Sequence, residues 1–73
     1  MNNSIFYKID NQTLKIEYNQ NYSSTDNIYI VNGKYIPSIY KNNKIIGIYN
    51  LDDKINIFIE YSNDNLKLST QLN

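Results

Sequence analysis

Apolar and polar residues alternate with a period of two along much of this chain, as in Leu-Lys-Ile-Glu-Tyr at 14–18 and Ile-Asn-Ile-Phe-Ile at 55–59. That period places successive side chains on opposite faces of a strand. No sustained i, i+3, i+4 apolar pattern stands against it, and the abundant Ile, Tyr and Asn are mediocre helix formers. The alternation predicts seven strands, over residues 5–10, 13–18, 28–31, 34–41, 44–50, 55–62 and 66–72. The expected fold is all-β: an antiparallel meander of six or seven short strands, curled into a small barrel or sandwich.

Short polar pairs separate the strands. Asn32-Gly33 fits a two-residue type I′ hairpin, because both positions tolerate positive φ. Asn11-Gln12, Asn42-Asn43, Asp52-Asp53 and Asn63-Asp64 occupy comparable places with weaker turn chemistry. Two-residue turns at these points set the registers. They place Ile9 opposite Leu14, Tyr7 opposite Ile16, Ile30 opposite Tyr35 and Ile39 opposite Ile46. They also set Ile48 opposite Ile57, Ile46 opposite Ile59, and Tyr61 opposite Leu66. One face is then apolar throughout, which is what a specified register requires. Residues 19–27 form the one longer loop, polar except for Tyr22. It reads as a surface connection or a partner-contacting tip.

Pro37 conflicts with an uninterrupted strand over 34–41, because proline donates no ladder hydrogen bond. A bulge, a sharp bend or a strand break is expected there. Any of these would help a short sheet fold over on itself.

The reverse face of the middle strands is also apolar, carrying Tyr29, Val31, Ile36, Tyr40, Ile45, Tyr49 and Phe58. A sheet face left in water is normally polar. A second layer, from the same chain or another molecule, is therefore expected to shield it. The candidate binding surface is Tyr29, Ile36, Tyr40, Tyr49 and Phe58, with Lys41 and Lys44 facing each other beside Tyr40. Aromatic rings suit recognition because they give large contact area at low conformational-entropy cost. A ring beside two ammonium groups also suits a phosphate and a stacked base.

Composition narrows the chemistry. The chain has 73 residues, one domain's worth, with seven basic and seven acidic side chains and a formal net charge of zero. It lacks His, Cys, Trp, Ala and Arg, while 13 Ile, 14 Asn and eight Tyr match the codon bias of an AT-rich genome. Without His or Cys, the usual neutral-pH base, thiol nucleophile, disulfide and zinc ligands are missing. No catalytic residue, metal site or cofactor is expected. Asp52, Asp53 and Asp64 fit no calcium-loop spacing. No apolar run spans a bilayer, and the first residues lack the basic start and apolar stretch of a secretory signal. A cytoplasmic location with no membrane partner is therefore expected.

Three functions fit these constraints. The first is a non-catalytic binding module acting through protein–protein contact, of the inhibitor or immunity type found in AT-rich bacteria and their mobile elements. The second is a small β-barrel that binds an oligonucleotide or nucleotide-type ligand through Tyr and Lys. The third is a structural subunit that assembles with itself as a homodimer or higher oligomer.

Overall fold

The computed structural model describes residues 2–19, 28–63 and 65–72. Most of the loop expected at 19–27, including Tyr22, and Asp64 of the last turn lie outside the described residues. The chain forms eight strands: β1 (Asn2–Ile9), β2 (Gln12–Asn19), β3 (Tyr29–Val31), β4 (Lys34–Ile36), β5 (Ser38–Lys41), β6 (Lys44–Asp52), β7 (Ile55–Ser62) and β8 (Asn65–Leu72). They make two antiparallel four-stranded meanders, β1-β2-β3-β4 and β5-β6-β7-β8. Among the described residues no helix is long and apolar enough to cross a membrane.

Turn chemistry explains the hairpins. Asn32 and Gly33 both have positive φ (49° and 84°), as do Asn42 and Asn43 (53° and 63°). These are the conformations a type I′ connection needs. The registers they set, Ile30 opposite Tyr35 and Ile39 opposite Ile46, are those read from the sequence. Asn32 also extends the β2–β3 ladder. Its backbone N–H donates to the Lys15 carbonyl (2.9 Å), and its side-chain oxygen accepts from the Lys15 N–H (2.9 Å).

The first hairpin turns one residue earlier than expected. Asp10 and Asn11 take the two positive-φ positions (51° and 63°). Ile9 therefore faces Gln12, Tyr7 faces Leu14, and Lys15 faces Phe6 rather than Lys8. Asp and Asn enter the left-handed region more readily than Gln, which is why the turn settles there. Because the shift is an even number of residues, the inward set is unchanged.

The β6–β7 connection departs more deeply. The Asp52 carboxylate accepts hydrogen bonds from the Lys54 N–H (2.7 Å) and the Ile55 N–H (3.0 Å), so the turn falls on Asp53-Lys54. A register irregularity between Asn50 and Asp52 accommodates the extra residue. The consequence is a one-residue shift. Ile48 faces Phe58 and Ile46 faces Glu60, not Ile57 and Ile59 as the sequence suggests, while Gly47 faces Ile59 and Tyr49 faces Ile57. Ile46 and Ile48 thereby change faces, as an odd shift demands.

Pro37 lies between β4 and β5, outside both ladders, at the point where the chain leaves one sheet and enters the other. Its missing N–H thus leaves no gap in either sheet. The sheets then face each other as a sandwich. Tyr7 of β1 shares a hydrogen bond with Thr70 of β8 (3.0 Å), and the Tyr18 and Tyr61 rings of β2 and β7 meet at 5.4 Å and 46°. The hydroxyl of Tyr29 in β3 donates to the Ile45 carbonyl of β6 (2.6 Å). Among the described residues β1 and β8 share no backbone ladder, so the structure is a folded-over double sheet rather than a closed barrel.

Between the sheets lie Leu14, Ile16, Tyr29, Val31, Ile36, Ile45, Ile57, Ile59 and Tyr61, all buried. The same chain thus shields Tyr29, Val31, Ile36 and Ile45. Tyr29 is fully buried (0% exposed) and rests on Gly47. A β-carbon built on Gly47 would come within 2.7 Å of the Tyr29 ring and 3.1 Å of Ile36 Cδ1. Only hydrogen fits there without displacement.

Gly47→Ala is therefore expected to lower stability by about 1–3 kcal/mol through overpacking, although alanine is ordinarily no worse than glycine in a strand. Tyr29→Phe should cost about 0.5–1.5 kcal/mol through the lost hydroxyl bond. Urea denaturation monitored by circular dichroism measures both. A Gly47→Ala variant as stable as the parent would show that the ring does not rest there.

Candidate functional site

The residues expected to form one aromatic surface are divided by the β-sheets. Tyr29 and Ile36 are core residues, and Tyr49 packs against that core from the inner face of β6. Tyr40 is half exposed, at a position paired with buried Ile45, and its hydroxyl donates to the Asn43 side-chain oxygen (3.2 Å). Lys41 and Lys44 face each other one position further along and so leave the opposite side of the sheet. The expected grouping of the Tyr40 ring beside two ammonium groups is therefore not assembled on one face. Phe58, by contrast, shares the outer face with both lysines.

On that outer face a different set comes together. Pro37, Ile39, Ile46 and Ile48 line a shallow cleft of about 290 Å³. Ile39 and Ile46 are direct cross-strand partners, and Ile48 faces Phe58 on the next strand. Ile39 is 60% and Ile48 is 48% exposed, high values for isoleucines in regular strands. The register explains the gathering: with Gly47 turned inward beneath Tyr29, its neighbours Ile46 and Ile48 must point outward.

The rim of this patch is polar. At one end stand Lys41 and Lys44, the latter with its ammonium 3.7 Å from the Glu60 carboxylate. At the other end the Asn50 amide donates to the Asn56 side-chain oxygen (3.0 Å). An apolar centre inside a polar rim is the arrangement of a contact surface. The cleft lining offers no acid, base, nucleophile or hydrogen-bonding side chain, so it has nothing with which to orient a polar substrate. What it can do is bury another molecule's apolar groups.

The outer face of the first sheet differs. Phe6 and Tyr35 are its exposed rings (70% and 67%), and the Lys15–Glu17 ion pair (3.0 Å) lies on the strand after Phe6. Charge thus interrupts its apolar area. Among the described residues no group of three or more acidic side chains is placed to hold a metal ion.

Sequence reasoning assigned Ile39, Ile46 and Ile48 to the interior and so missed this patch. The usable signal was Gly47. A glycine inside a strand marks a close approach by another group, which fixes the inward face of β6.

Ile48→Lys is expected to change stability by no more than about 0.5 kcal/mol, as for an ordinary surface site, and to lower binding of a hydrophobic dye. Ile59→Lys, on the opposite side of the same sheet, should prevent folding by burying an unpaired charge. Thermal melts of the two variants compare them directly; equal damage from both would contradict the face assignment. Comparison of the chain with protein-family models, with curated proteins and with solved structures finds no significant match to any of the three.

Proposed function

We propose that this protein is a non-catalytic binding module that acts by protein–protein contact through the outer face of β5, β6 and β7. The observation that carries this reading is the cluster of Pro37, Ile39, Ile46, Ile48 and Phe58 on one accessible sheet face. Isolated exposed isoleucines need no explanation, but a contiguous group with a charged rim marks a recognition surface. A cleft lined only by Pro37, Ile39, Ile46 and Ile48 suits another protein better than a small molecule, which needs polar groups to fix its orientation. A role of the inhibitor or immunity type agrees with the small size and with the lack of His and Cys. Such a protein works by occupying a surface rather than by chemistry.

The nucleotide-type reading has less support. It rested on Tyr40 acting beside Lys41 and Lys44, and these leave opposite sides of β5 and β6. The chain also has no arginine for bidentate phosphate contacts.

A photo-crosslinking amino acid at position 48, introduced in the source cell, tests the proposal. Illumination should yield discrete protein adducts, absent when the crosslinker replaces Thr13 on the first sheet. Equal, diffuse labelling from both positions would reject the outer face of the second sheet as a binding surface.

A further inference from the structure

We infer that β8 takes a fifth strand for its sheet from a partner protein: an extended segment, apolar at alternate positions, with a carboxylate opposite Lys67. The site is the edge of the second sheet. It is separate from the outer face of β5, β6 and β7 and does not depend on that face being occupied.

The two flanks of the sandwich treat their edges differently. On one flank β4 has three residues and β5 four, with Pro37 between them. Short strands beside a proline resist pairing with another chain. On the other flank β1 and β8 run for eight residues each, without proline or register shifts. Tyr7 and Thr70 bond across this flank, yet among the described residues no inward side chain of either strand is fully buried. Of the two edges β8 is the less covered. Ile5, Tyr7 and Ile9 of β1 are all partly buried, whereas Thr70 is exposed and Leu72 is 74% exposed. The apolar layer is unfinished there.

Backbone geometry makes this edge receptive. Ser62 and Asn65 are paired with only two residues between them, so they must exchange hydrogen bonds directly. By alternation Lys67, Ser69 and Gln71 also spend their N–H and C=O groups on β7. Leu66, Leu68, Thr70 and Leu72 then aim theirs away from it, where among the described residues no strand lies beside them. Their side chains point inward, so residues bonded to them on an added strand lie on that same inner side. Apolar residues at those positions would cover Leu66, Leu68 and Leu72. Lys67 sets the charge of the partner. Glu60 is opposite it on β7, but that carboxylate lies 3.7 Å from the Lys44 ammonium. Lys67 is exposed, forms no ion pair, and belongs to a strand with no acidic side chain. A carboxylate opposite it on the incoming strand supplies the counter-charge.

The probe is a synthetic peptide of residues 55–62, Ile-Asn-Ile-Phe-Ile-Glu-Tyr-Ser, end-blocked and carrying a polyethylene glycol tail for solubility. Moved from one side of β8 to the other in its native register, it keeps Glu60 opposite Lys67. It also turns the backbone groups of Ile57, Ile59 and Tyr61 toward Thr70, Leu68 and Leu66. Hydrogen exchange followed by nuclear magnetic resonance reads the result. In the protein alone the amides of Lys67, Ser69 and Gln71 should be protected, while those of Leu66, Leu68 and Thr70 exchange freely. At about ten times its Kd the peptide should slow the second group about tenfold. A Glu60→Lys peptide should bind about two- to fivefold more weakly, and Lys67→Glu in the protein should reverse that order. Leu66, Leu68 and Thr70 already protected in the free protein would overturn the open edge. So would a peptide that leaves exchange unchanged, or one N-methylated at Ile57, Ile59 and Tyr61 that protects the edge equally well. Protection that rises with protein concentration and needs no peptide would make the occupant a second copy and overturn the foreign strand. Peptide-induced shifts confined to Ile39, Ile46 and Ile48 would also overturn it while favouring the outer-face reading, which crosslinking at position 48 judges by itself.

Discussion

The Tyr29 ring lying on the bare backbone of Gly47 is the contact on which this sandwich depends. It brings β3 of one sheet against β6 of the other at a distance that no β-carbon permits. The hydroxyl end is fixed by the Ile45 carbonyl, so the ring is held both at its Cδ2 and Cε2 carbons and at its tip. Protein interiors pack densely enough that one added methyl at such a contact must move something. Here the neighbours that would have to move are the largest fully buried side chain and Ile36.

That contact decides which side of β6 faces water. With Gly47 inward, Ile45 and Tyr49 turn to the core, and Ile46 and Ile48 turn outward beside Ile39 and Phe58. The exposed apolar cluster is thus a product of how the interior is packed. A strand apolar on both sides satisfies the core with one set of residues and leaves the other set exposed on the outer face. The proposed protein-binding role follows from that division.

Much of this architecture could be read from local chemistry. Asn32-Gly33 and Asn42-Asn43 specify their turns because both residues in each pair accept positive φ, and the pairings beside them follow. Pro37 marks the crossing between sheets because it cannot join a ladder. The β6–β7 register was not legible in the same way. Its turn depends on the Asp52 carboxylate capping two backbone N–H groups, and the sequence Asp-Asp-Lys allows the turn to sit at either of two positions one residue apart. The apolar pattern could not decide between them, since Ile45, Ile46, Ile48 and Tyr49 serve either face equally well. The deciding partner, Tyr29, is distant in sequence. The expected aromatic surface was divided for that reason: its Tyr29 and Ile36 belong to the core, while the isoleucines assigned to the core form the patch.

The most direct test of this account is a nuclear Overhauser spectrum of the folded protein. The Tyr29 ring protons should show strong cross-peaks to the Gly47 α-protons, and none to the side-chain methyls of Ile46 or Ile48. Cross-peaks from Tyr29 to those methyls, with none to Gly47, would put the isoleucines inside and contradict the account.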